Sequence, residues 1–158
     1  MWKKIKPYVI SILIPLAVGG LAAFLTRNNM DIYSELIQPP LAPPAILFPI
    51  VWTILYILMG ISAAIIYINR NKKPVIATRS LRIYSASLFV NFLWSILFFN
   101  FRAFLFSFIW LLLLLFLVIY TIILYRRIKS IAAYLQIPYA LWVAFAGYLN
   151  FAIWLLNK

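Results

Sequence analysis

Apolar runs separated by short cationic joints organise this chain. The runs fall at roughly 5–25, 45–68, 80–101, 104–124 and 132–156. Each reaches the roughly 20 residues that a helix needs to cross a bilayer. The joints are NRNKKPVIATR at 69–79 and YRRIKS at 125–130, with tyrosine at the membrane edge, and the short break FFNFRAF around Asn100 and Arg102. A charge at the centre of a membrane helix is costly, so Arg102 is expected in an interfacial turn. The pattern predicts an all-α integral membrane protein: one domain over 1–158, built as a bundle of five transmembrane helices, with a loop at 26–44 between the first two.

Helical spacing then separates inward from outward faces. Tyr84, Ser87, Asn91, Trp94 and Phe98 recur at three- and four-residue steps on the third span. Trp52, Tyr56, Met59, Ala63 and Tyr67 do so on the second, and Tyr134, Pro138, Trp142, Phe145 and Leu149 on the fifth. These aromatic and mildly polar faces are expected to point inward, and LLLLLFLV at 111–118 toward lipid. The Asn91 amide should meet another helix or a ligand, since hydrocarbon leaves it unpaired. Spacing alone leaves two readings open, a ligand cavity or a core of rings packed on one another.

Composition agrees with the membrane reading. The 158 residues are 67% hydrophobic and 10% charged, with a mean hydropathy of +1.05, whereas soluble domains are about 45–50% apolar and about 25% charged. The first span follows Trp2, Lys3, Lys4 and Lys6 like a signal peptide, yet no small-x-small cleavage site closes its apolar core before Thr26 and Arg27. It is expected to be retained. Absence of cysteine excludes disulfides and thiolate metal sites.

Charge predicts orientation. Lys3, Lys4, Lys6, Arg70, Lys72, Lys73, Arg79, Arg82, Arg126, Arg127 and Lys129 share one side of a five-span chain, against Arg27, Arg102 and Lys158 on the other. In a cell membrane the positive-inside rule makes the N-terminus cytoplasmic and the first loop and C-terminus extracytoplasmic. The net charge of +12 is then topology plus attraction to anionic lipid headgroups. Nucleic acid is not an expected partner, because no soluble basic domain exists to bind it. The first loop holds Asp31 and Glu35, the only acidic residues, and prolines at 39, 40, 43 and 44. Proline fixes φ and removes donors, so the segment is either a stiff lid or merely the start of the second helix.

The whole chain resembles the translocator protein family, also called tryptophan-rich sensory proteins or peripheral-type benzodiazepine receptors. The resemblance rests on QPPLAPP at 38–44, PIVW at 49–52, LYILMG at 55–60, NFLWSILFFNFR at 91–102 and PYALWVAFAGYLNFAIW at 138–154. It implies a five-helix bundle, commonly a homodimer, with a pocket toward the first loop for porphyrins and other flat apolar ligands. The matching ligand-binding positions are Tyr33, Trp52, Tyr56, Asn91, Trp94, Trp142 and Ala146, with Arg27 as a further polar contact. Some features depart from the family pattern. Leu41 stands where tryptophan is frequent, Gln38 replaces lysine, and Trp110 occupies a position that is acidic in some members. The sterol motif is broken by Phe151 in the tyrosine position and by the lack of a cation before Lys158, which makes cholesterol a doubtful partner.

The residue inventory limits the chemistry. With no histidine, cysteine or intramembrane carboxylate, a haem held by His or Cys, a general-base pair and a carboxylate proton relay are poorly supported. No cofactor is required, and a porphyrin would be ligand or substrate. A free-base porphyrin asks for flat apolar walls and a polar group near its edge. The expected function is a membrane receptor or sensor for tetrapyrroles. The alternatives are light- and oxygen-dependent porphyrin degradation, for which the resemblance points to Trp52 and Trp142 as the catalytic residues, and facilitated transport of a tetrapyrrole or lipid.

Overall fold

The structure is a computed structural model and describes residues 2–158. Helix α1 spans Trp2–Thr26 and is followed by a 3-10 turn at Arg27–Asn29 and the single-turn helix α2 at Ile32–Glu35. The long helices α3 (Leu47–Ile68), α4 (Pro74–Ser95), α5 (Phe104–Arg126) and α6 (Ser130–Leu156) complete the chain. Among the described residues five helices, counting α4 with its extension to Asn100, are long and apolar enough to span a membrane. They close into a ring in the order α1, α3, α6, α5, α4, with α4 back against α1.

Two ends of this ring differ chemically. One carries the joints at 69–73 and 127–129, where the Lys73 ammonium donates to the Arg127 carbonyl at 2.7 Å. The other, called the loop end below, carries α2, the turn after α4 and the C-terminus of α6.

The turn forms as the charge at Arg102 predicts. Helix α4 widens into a π segment over Ile96–Asn100, the Phe101 N–H reaches back to the Ile96 carbonyl at 3.1 Å, and Arg102 turns the chain at φ 52°. Asn100 then ties the turn to α1: its amide donates to the Leu25 carbonyl at 3.2 Å and accepts from Asn29 at 2.8 Å.

Four expectations need correction. The third span begins at Pro74 and not at 80, because proline serves as a first-turn helical residue whose missing N–H is not needed there. Of the expected α6 stripe Tyr134, Pro138, Trp142, Phe145 and Leu149, Leu149 is buried but Tyr134 and Pro138 are exposed and Trp142 and Phe145 stand at the flank; the inward face is formed by Ala132, Gln136, Tyr139, Val143, Ala146, Asn150 and Ile153. Likewise the leucine run of α5 is not wholly outward, since Leu111, Leu114 and Val118 are buried. Tyr67 also lies outside, beneath the Arg70 guanidinium at 4.0 Å, as an interfacial ring does. The stripe of α4 is buried as expected from Tyr84 to Phe98.

Candidate functional site

Glycine sets the position of the first site residues. Helices α1 and α3 touch backbone to backbone, because a Cβ at Gly60 would overlap Ile12 and a Cβ at Gly19 would fall within the Tyr56 ring. Tyr56 is therefore laid flat over α1. From there it stacks on Trp52 one turn away, at 5.4 Å between centroids and 28° between planes. The edge of Tyr139 from α6 meets Trp52 at 6.1 Å and 68°. The Asn91 amide of α4 donates to the Tyr56 hydroxyl at 3.3 Å. Three helices thus bring Trp52, Tyr56, Tyr139 and Asn91 together, and α3 and α6 carry no charged residue along their length.

Trp94, one turn from Asn91, is committed elsewhere. Its indole N–H donates to the Asn150 side-chain oxygen at 3.1 Å, and the Asn150 amide donates to the Phe104 carbonyl at 2.7 Å. One asparagine of α6 thereby holds α4 and the start of α5. Ala146 is buried one turn before Asn150, on the same face. Trp110 has a comparable latch, donating to the Val90 carbonyl at 2.8 Å.

The loop is strapped across the end of the bundle. The Asn157 side chain accepts from the Ile37 N–H at 2.9 Å and donates to the Ile37 carbonyl at 3.1 Å, while the Tyr148 hydroxyl donates to the Pro40 carbonyl at 2.8 Å. Within the loop, Gln38 donates to the Tyr33 carbonyl and the Tyr33 hydroxyl to the Pro43 carbonyl, the latter at 2.9 Å. Burial pushes the Tyr33 phenol up from its ordinary value. Leu41, at φ 67° and outermost on the loop, supplies the left-handed turn between the proline pairs.

Tyr33 does not join the inner group directly. It meets Phe48 edge-on at 5.0 Å, Phe48 meets Trp142 at 5.9 Å, and Trp142 meets Phe145 at 5.6 Å. A second aromatic run therefore descends from the loop along the seam of α3 and α6. Arg27 is exposed at the end of α1, its guanidinium 4.3 Å from the centroid of Phe24, and no side-chain hydrogen bond among the described residues ties it to either group.

The sequence profile of the TspO/MBR family matches residues 11–155. The chain belongs to the TspO/MBR family. Among its relatives, the tryptophan-rich protein TspO of Archaeoglobus fulgidus is 40% identical over 98% of this chain and 99% of its own length. That of Chlorobaculum tepidum is 34% identical over 99% of both chains, and the translocator protein of Bos taurus is 32% identical over 92% of this chain and 87% of its own. The TspO/MBR membership and the five long helices together make this a multi-pass membrane protein.

In this family member, sequence reasoning missed Tyr139, Asn150, Phe48 and the straps Tyr148 and Asn157. A usable signal existed for two of them. Tyr139, Val143, Ala146, Asn150 and Ile153 follow the same three- and four-residue steps as the stripe from Tyr134 to Leu149, with smaller and more polar side chains. The straps join residues more than a hundred positions apart, and no local pattern encodes such pairs.

Proposed function

We propose that the protein is a membrane receptor or sensor that binds porphyrin-like tetrapyrroles and other flat apolar molecules beneath the strapped loop. The observation that carries this reading is the convergence of Trp52, Tyr56 and Tyr139 around the Asn91 amide between uncharged helices. Ring faces and edges suit a planar partner, and one amide suits a polar edge. The chain has no histidine or cysteine to hold iron, so the free-base tetrapyrrole is the better fit.

The test uses Trp52→Phe, Trp142→Phe and Trp154→Phe, with protoporphyrin affinity and thermal stability measured on each. An aromatic contact is worth about 0.5–1.5 kcal/mol beyond area burial, so affinity should fall roughly two- to tenfold in the first two variants. Trp154 packs on Phe151 and lies under the Lys158 ammonium at 5.4 Å, an edge position whose replacement should leave affinity unchanged. Stability losses without affinity losses would instead make the rings a packing core. Illumination in air extends the experiment: a static shifted spectrum means binding, and loss of the main band with a new product means degradation, which the Trp52 and Trp142 variants should slow most.

The concentration of cations at the end opposite the loop supports a cytoplasmic N-terminus in the cell membrane. Reporter fusions after residues 27 and 74 should give opposite compartment signals; the same signal from both would contradict this orientation.

A further inference from the structure

We propose that the groove between α3 and α6 on the membrane side is the gate through which a bilayer-dissolved ligand reaches the inner aromatic group. This rests on the receptor reading above and names the route to the same site. The groove has a volume of 410 Å³ and is walled by Ile54 and Leu58 on one side and Pro138, Leu141, Trp142 and Phe145 on the other. That volume is within the roughly 300–1,000 Å³ of small-molecule sites. No wall residue is charged, which suits the flat apolar face of a molecule arriving from hydrocarbon.

Trp142 links the groove to the inner group along α6, where it follows Tyr139 at an i, i+3 step. Its ring lines the groove and also packs on Phe48, the neighbour of Tyr33. Its indole N–H is buried and meets no acceptor among the described residues. Such a group is costly to leave unpaired, and it is a donor waiting for the polar edge of a ligand. Tyr139, whose hydroxyl is likewise buried without a partner, lies one turn before Val143 on the inner face and touches Trp52. A ligand displacing the Trp142 ring therefore moves from one unpaired donor to the next.

The backbone at the groove is built to yield. Pro138 lies inside α6 and cannot donate to the carbonyl four residues earlier, and proline is a common cause of helix bending. The loop end has the opposite character, because Asn157, Tyr148 and Tyr33 fix the loop by side-chain hydrogen bonds. The seam is thus the more compliant boundary of the site, and it opens onto the phase in which an apolar ligand concentrates.

Association and release of protoporphyrin, followed by its own fluorescence in lipid nanodiscs, test the gate. Leu141 is 67% exposed on the groove wall, so Leu141→Trp narrows the groove without disturbing the core. Both rates should fall by about five- to tenfold with Kd within about twofold, as for any obstacle that raises the barrier and leaves the bound state alone. Asn157→Ala, which unties the loop, should leave both rates unchanged. Phe116→Trp, on the exposed face of α5, controls for bulk added toward lipid. Unchanged rates in Leu141→Trp would overturn the gate, as would faster association in Asn157→Ala, which assigns passage to the loop. A changed Kd with an unchanged association rate would also overturn it, making the groove a resting site. Equilibrium binding by the unmutated protein reports on the receptor reading alone, so its failure is seen before any rate is compared.

Discussion

Replacing Gly60 with alanine should force α1 away from α3 and destabilise the bundle by about 1–3 kcal/mol, the usual cost of one carbon too many in a packed interior. The added Cβ would stand 2.6 Å from the Ser11 carbonyl oxygen and 2.8 Å from the Ile12 nitrogen. Both are backbone atoms, so no side-chain rotation relieves the overlap and the helix axes must separate. Separation also lifts Gly19 from the Tyr56 ring, which loosens the Trp52 stack and the bond from Asn91. Small residues at membrane helix contacts act through this close backbone approach. Gly20→Ala is the comparison, because its Cβ would have nothing within 4 Å; better helix propensity should make it neutral or slightly stabilising. Thermal unfolding of both variants in lipid nanodiscs measures the difference. Equal stability would mean that the α1 and α3 contact adjusts freely, and that Gly60 does not position Tyr56.

The contrast between α4 and α6 shows how far sequence could go. On α4, Asn91 stands alone among the apolar residues of LFVNFLW at 88–94, and polar groups turn inward in a membrane, so the buried face is legible. On α6 large rings at Trp142 and Phe145 drew the reading one step around the helix. In a soluble protein the largest apolar residues mark the core, but lipid is as apolar as a core, and small or polar residues mark helix contacts instead. Ala132, Gln136, Ala146 and Asn150 satisfy that rule and are buried. Trp52, Tyr56 and Asn91 are brought together as the pattern on α3 and α4 implied. The lid was an open alternative to a simple helix start, and its hydrogen bonds to Tyr148 and Asn157 could not have been inferred from the prolines that stiffen it. Even the single-turn helix α2 lies in a stretch where sequence offered only loop signals.

Asn150→Ala should be the most damaging single change on α6. Its amide oxygen accepts from the buried Trp94 indole and its amide nitrogen donates to the Phe104 carbonyl, at 3.1 and 2.7 Å. Removing the amide leaves the Trp94 donor on α4 without a partner, at about 1–3 kcal/mol by the usual measure of a buried unsatisfied group, and takes the interhelical donor from the Phe104 carbonyl, which as a first-turn carbonyl of α5 still accepts within its own helix. Interhelical hydrogen bonds in membranes average nearer 0.6 and reach about 1.7 kcal/mol, because the unfolded helices also find partners in the bilayer. The lower scale applies to the Trp94 bond. The Phe104 carbonyl belongs to the first turn of α5, where its role is to hold the turn after Arg102, so the two losses together should cost about 2–3 kcal/mol. Trp94→Phe deletes only the first bond and should cost about 1 kcal/mol. A double-mutant cycle between the two, read by unfolding in mild detergent, isolates the pair. A coupling energy near zero would show that Trp94 is held by Phe98 and Phe99, which meet its ring at 5.6 and 6.3 Å, and would leave its indole N–H free to serve a ligand after all.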